Sequence, residues 1–228
     1  LFTIMETTKL KFNGQAEQDK FVCNILKNKT NGFFVEVGSH HPININNTYV
    51  LEDSLSWKGL MFEWAQERFE ELYKKHRLNS SYVFGDAQYH DYYEILEKHE
   101  APKFIDYLQL DIEPPEKTLN VLKNLDSKVM DEYKFAVVTF EHDYCHSLQS
   151  QPRLASRQIF KNRGYELVFA DVHNTEPKHV YEDWNVHPNL VDMDYVQNLI
   201  SLNIENYESS PYEVISESIN WQNIIYPQ

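Results

Sequence analysis

Cysteine is almost absent from this chain of 228 residues: only Cys23 and Cys145 occur, far apart and without a CxxC spacing. They supply neither a disulfide framework nor a thiolate zinc cluster, so a reducing, cytoplasmic compartment is expected. Glycine is scarce at 6 residues, and no GxGxxG turn of a dinucleotide site is present. Positive charge is in deficit: 21 Lys and Arg face 35 Asp and Glu, a net charge of −14. That balance opposes binding to phosphate backbones and anionic membranes, so a nucleic-acid substrate is disfavoured. No apolar run approaches the ~20 residues that span a bilayer, and no signal-peptide pattern is visible. The chain begins at Leu1 rather than Met, from which a segment of a longer protein is expected.

What is present argues for a globular α/β protein. Apolar residues make up 42% and aromatic residues 14% of the chain, too much for a disordered polypeptide. Phe33–Val37, Gly59–Glu63, Ser81–Phe84, Phe104–Leu110, Phe135–Phe140 and Tyr165–Asp171 are short apolar runs that read as buried parallel strands. Val180–Val186 reads as a seventh strand or a loop. Between them lie helical patterns over Ala16–Lys27, Asn47–Leu55, Ala65–His76, Tyr92–His99, Pro114–Leu125 and Gln151–Asn162. Leu119, Leu122 and Leu125 are spaced for burial, and proline suits the first turn of that helix. Alternation of this kind gives one doubly wound domain over about 16–188, followed by an acidic, aromatic, weakly periodic extension over 189–228.

Ligands of such sheets bind beyond the carboxyl ends of the strands. Those ends carry Glu36, Glu63, Asp86, Asp111 and Glu141. Carboxylates crowded on one edge raise each other's pKa, so a cation is expected among them: a sulfonium, a metal ion, or both. Gly38 and Ser39 after the first strand allow close backbone approach to a ligand, and Glu63 is placed to accept hydrogen bonds from a ribose. Together they are the footprint of a nucleoside-containing cofactor. Asp111 at a strand edge reads as functional, whereas Glu113 and Glu116 read as acids at a helix N-terminus. Phe140–Tyr144 (FEHDY) suggests that Glu141 and His142 converge with Asp111 on Mg or Mn, or that His142 and Asp143 cap a loop. His187 is a candidate general base, with His41 as the alternative and His40 beside it.

The segments FVEVGSHHP, NNTYVLEDSLSWKGLMFEW, YLQLDIEPPE, VVTFEHD and EDWNVHP also carry a family resemblance. Between about residues 31 and 188 the chain resembles the FkbM family of S-adenosylmethionine-dependent methyltransferases. Asn47, Thr48, Leu51, Glu52, Trp57, Gly59 and Glu63 match its most specific motif in order. His40, His41 and Pro42 replace small residues of the family loop, and Pro114 replaces a family glycine.

The resemblance implies a Rossmann-like class I methyltransferase, with a seven-stranded, mostly parallel sheet, helices on both faces and one antiparallel edge strand. It implies O-methylation of a sugar hydroxyl in a glycan or glycoside. Carried over, Glu36, Gly38 and Ser39 hold the methionine end of the cofactor, Glu63 the ribose, and Asp86 with Ala87 the adenine edge. Thr48 and Trp64 are further cofactor-binding candidates. Asp111, Glu141 and His142 also resemble the layout of metal-dependent sugar and catechol O-methyltransferases. A carbohydrate acceptor and fusion to glycosyltransferase domains accord with this, and the oligomeric state stays open. Two other readings remain: a nicotinamide-dependent oxidoreductase, and a non-catalytic glycan-binding domain on the same fold.

Overall fold

The computed structural model describes residues 10–144, 150–173 and 180–204. Cys145 and the C-terminal stretch past residue 204 lie outside the described residues. The strands are β1 (Phe33–Val37), β2 (Lys58–Glu63), β3 (Ser81–Phe84), β4 (Phe104–Leu110), β5 (Lys134–Glu141), β6 (Glu166–Val172) and β7 (Glu182–Val186). They form one sheet in the order β3-β2-β1-β4-β5-β7-β6. Neighbours among β1 to β5 pair in parallel, and β7 pairs antiparallel with both β5 and β6.

One expectation needs correction. The antiparallel strand is not at the edge but between β5 and β6. All five residues of β7 are buried, and both of its flanks find ladder partners there. The edge falls to β6, which starts exposed.

The helices are α1 (Gln18–Ile25), α2 (Tyr49–Leu55), α3 (Gln66–His76), α4 (Tyr92–Lys98), α5 (Pro115–Lys128), α6 (Ser150–Asn162) and α7 (Met193–Ile204). They cover both faces of the sheet. On one face α1, α2, α3 and α7 pack Phe21, Leu51, Phe69 and Val196 against Phe34, Tyr107, Val137 and Trp184. On the other, α4, α5 and α6 pack Leu96, Leu122 and Phe160 against Val35, Leu108 and Val138. Each such buried side chain contributes roughly 1.5–3 kcal/mol. Period-2 alternation along each strand assigns these faces. It also sends Glu36, Gln109 and Thr139 toward α1. The segment 193–204, weakly periodic in sequence, is the helix α7 because Tyr195, Val196 and Leu199 share one buried stripe.

Candidate functional site

Strands β1, β2, β3, β4 and β5 all end on one edge of the sheet, and the acids of the sequence reading gather there. The turn after β1 is held from below: Gly38 N–H and Ser39 N–H both donate to the carbonyl of Phe62, at 2.9 and 3.1 Å. Gly38 has φ +89°, and a Cβ there would overlap the carbonyl oxygen of Asp111. Only glycine lets this turn pack against the end of β4. The Ser39 hydroxyl faces inward, 3.2 Å from the Glu36 carbonyl and 3.3 Å from that of Phe62. Its backbone N–H and its hydroxyl therefore build the turn.

Glu36 is 1% exposed. Its Oε2 accepts hydrogen bonds from Thr48 Oγ1 (2.9 Å) and Asn46 Nδ2 (3.2 Å), with Arg77 Nη1 at 3.9 Å. Burial pushes its pKa up to about 7, against the pull of Arg77, Thr48 and Asn46. Thr48 is fully buried, and its hydroxyl is spent between Arg77 and Glu36. The hydroxyl expected to meet the cofactor is thus already engaged by its neighbours beneath the β1 turn.

Glu63 is also buried, and its oxygens staple the β2 turn. Oε2 accepts from His40 N–H at 2.8 Å, and Oε1 accepts from Trp64 N–H and Ala65 N–H, both at 2.9 Å. A carboxylate offers about four acceptor positions, so one remains on Oε2 for a ribose hydroxyl. The next side chain, Trp64, is 80% exposed, an open aromatic face at the same strand end. Asp86 caps the following turn by accepting from Gln88 N–H at 3.1 Å, with Lys117 Nζ at 3.7 Å. Ala87 is buried, and its carbonyl accepts from the Tyr92 hydroxyl at 2.8 Å.

Asp111 and Glu141 meet beyond β4 and β5. Burial pushes both carboxyls up. The nearby Asp111 charge raises Glu141 further. Antiparallel pairing places Glu182 opposite Glu141. Glu182 Oε2 accepts from Gln18 Nε2 (2.9 Å) and Trp184 Nε1 (2.8 Å), and burial pushes its pKa up to about 8.

His142 does not join this group, which corrects the expected three-residue metal set. Neighbouring residues of a strand point to opposite faces, and the side chain following Glu141 enters the α6 face. There His142 Nε2 lies 3.6 Å from Asp171 and 3.5 Å from Asp183. These three offer ligand atoms within 4.8 Å of one another. Two arginines of α6 already occupy their oxygens: Arg153 pairs with Asp171, and Arg157 reaches Asp171 at 2.8 Å and Asp183 at 2.7 Å. Burial alone would raise Asp183, but bonds from Arg157 and His142 hold it well below the usual carboxylate range. A divalent ion there would have to displace two guanidinium groups, so the cluster reads as an ion-pair network.

Both histidine bases are also corrected. His187 N–H donates to Ala136 at the start of β5. Five residues of strand therefore separate it from Glu141, about 16 Å at 3.3 Å per residue. It packs edge-on against Tyr165 at 5.1 Å, and burial, then Lys134, lowers its pKa. His41 lies in the right loop, but its Nδ1 accepts from Ile43 N–H (3.1 Å) and Asn44 N–H (3.0 Å). The remaining nitrogen then carries the proton and cannot act as a base. Trp184, grouped with His187 in sequence, is a core residue stacked on Phe21 at 4.7 Å.

Sequence reasoning missed Asn46, Arg77, Glu182, Arg153 and Arg157. Glu182 follows from nothing local, because it reaches the site through its register with Glu141.

Fold and site edge together define a Rossmann-like class I methyltransferase fold. The chain matches no family model, and no curated protein matches it. Among solved structures it is similar to a protein described as an rRNA methylase from Clostridium thermocellum, at 13% identity and a TM-score of 0.51, covering 77% of this chain and 96% of that one. A fibrillarin pre-rRNA processing protein from Methanococcus jannaschii aligns at 13% identity and TM-score 0.49, over 75% and 76% of the two chains. A protein described as an O-methyltransferase from Klebsiella pneumoniae aligns at 10% identity and TM-score 0.47, over 75% and 80%. The first of these likenesses, at TM-score 0.51, establishes the fold alone. No helix among the described residues is long and apolar enough to cross a membrane.

Proposed function

We propose that this chain is an S-adenosylmethionine-dependent O-methyltransferase, related to the FkbM group, that acts on a sugar hydroxyl. The observation that carries the reading is the arrangement of Glu36, Glu63, Asp111 and Glu141 along consecutive strand ends, around a turn that only glycine permits. When bound, the cofactor supplies an electrophilic methyl on a sulfonium. Glu36 offers a buried carboxyl beneath the methionine end. The free acceptor position of Glu63 suits one ribose hydroxyl, and the exposed Trp64 offers a stacking face.

Asp111, at the end of β4 against the Gly38 turn, is the candidate proton acceptor. With a neutral thioether as the leaving group, the acceptor hydroxyl would lose its proton to Asp111 as it takes up the methyl. Orientation of the two reactants supplies much of the acceleration. Asp111 and Glu141 offer hard oxygen donors that would hold a divalent ion, which would lower the pKa of the acceptor hydroxyl. The net charge of −14 favours an uncharged acceptor over RNA or DNA.

The test combines binding and transfer. S-adenosylhomocysteine should raise the melting temperature and NAD should not. Radiolabelled S-adenosylmethionine should label glycosides and not nucleic acids, and EDTA should abolish labelling. NAD binding in place of S-adenosylhomocysteine would overturn the cofactor reading, labelled RNA the sugar reading, and full turnover after chelation the metal.

A further inference from the structure

Arg77, directly after α3, is a fully buried arginine that the proposed chemistry leaves without a task. A buried guanidinium persists only where its N–H groups are satisfied. Nε donates to Glu52 at 2.8 Å. Nη1 donates to Asn46 Oδ1 at 3.1 Å and to the Pro42 carbonyl at 3.3 Å. Nη2 donates to Thr48 Oγ1 at 2.8 Å. The guanidinium also lies 5.4 Å over the ring of Phe34. Glu52 is anchored in turn by Asn79 N–H (2.8 Å) and the Ser80 hydroxyl (2.6 Å).

Two bridges of one polarity then continue to the cofactor turn. Thr48 accepts from Arg77 and donates to Glu36 Oε2. Asn46 accepts from Arg77 and donates to the same oxygen, and also to the carbonyl of Ser39 at 3.1 Å. Hydrogen bonds polarised in series strengthen one another in a low dielectric.

We propose that Arg77 is a positioning residue for the cofactor pocket: through Thr48 and Asn46 it fixes the orientation of Glu36 beneath the β1 turn, where that carboxyl would meet the methionine ammonium. The proposal rests on the cofactor reading above. Burial raises Glu36, and Arg77 is the foremost group that opposes it. Asp111 opposes Arg77, and the hydroxyls of Tyr73 and Tyr107 also face Glu36. The carboxyl beneath the turn is thus held by a residue that reaches no surface.

Calorimetric titration with S-adenosylhomocysteine tests this on the full chain, with circular dichroism to confirm folding. The variants are Thr48→Val and Arg77→Lys, each made alone and in a Glu36→Gln background. Each should weaken binding on the order of tenfold alone and hardly further once Glu36 is gone, since both act through it. Equal losses in both backgrounds, or wild-type affinity in folded Thr48→Val, would overturn the proposal. If Arg77→Lys does not fold, Thr48→Val carries the comparison, because it cuts one bridge and leaves the guanidinium in place. A wild-type chain that binds no S-adenosylhomocysteine would overturn the cofactor reading and this proposal with it. A wild type that binds, with variants whose losses add, overturns the proposal alone.

Discussion

Replacing Glu182 by Gln should stabilise this protein at alkaline pH and leave it almost unchanged in acid. Glu182 is buried, and its folded pKa is raised from the ordinary 4.5 to about 8. Between those values the unfolded chain gives up the proton while the folded chain keeps it. The stability that the protonated group allows is therefore complete below pH 4.5 and is lost as pH rises through 8. A shift of 8 − 4.5 = 3.5 units, at 1.36 kcal/mol each, amounts to about 5 kcal/mol. Glutamine mimics the protonated acid. Its single oxygen can still accept from Gln18 Nε2 and Trp184 Nε1, which now share Oε2. The variant has nothing to titrate at this position. Removing the charge also relieves Asp111, whose repulsion is among the causes of the Glu182 shift, and that relief acts in the same sense. Urea melts of both proteins at pH 5, 7 and 9, with EDTA present, measure the difference directly. It should be small at pH 5 and reach several kcal/mol in favour of the variant at pH 9. A difference that does not change with pH, or a variant less stable than wild type at pH 9, would refute the argument.

Three further outcomes are expected. Glu63→Gln loses the charge-assisted bond from His40 and sets an amide N–H against a backbone N–H. It should cost about 2 kcal/mol and lower Tm by about 4–8 °C, with weaker S-adenosylhomocysteine binding by calorimetry; wild-type stability would show that the staple carries no weight. Gly38→Ala forces an overlap with the Asp111 carbonyl at positive φ, so it should cost more than about 3 kcal/mol or fail to fold; a soluble variant with native Tm would contradict the close approach. His187→Asn should keep wild-type turnover and pH–rate profile, because His187 lies at the far end of β5; a folded variant without activity would restore it as a catalytic candidate.

The mainly apolar runs between helical stripes were enough to place β1, β3 and β4 at their observed limits. The chain end of each strand also follows from sequence, which is why Glu36, Glu63, Asp86, Asp111 and Glu141 could be read as one edge. What sequence order cannot carry is direction across the sheet. Glu141 and His142 are adjacent in the chain and lie on opposite faces, one toward Asp111 and the other among Asp171, Asp183 and two arginines. Nor does it show which end an antiparallel strand presents: the reversal of β7 brings Glu182 to the site and takes His187 away. Arg77 looks in sequence like any helix-terminal cation, and only the packing of α3 against the β1 turn buries it among Glu52, Asn46 and Thr48. The local pattern determined the elements and the edge on which chemistry sits. Tertiary pairing decided which side chains meet there, because hydrogen-bond register and strand sense are relations between segments and belong to neither alone.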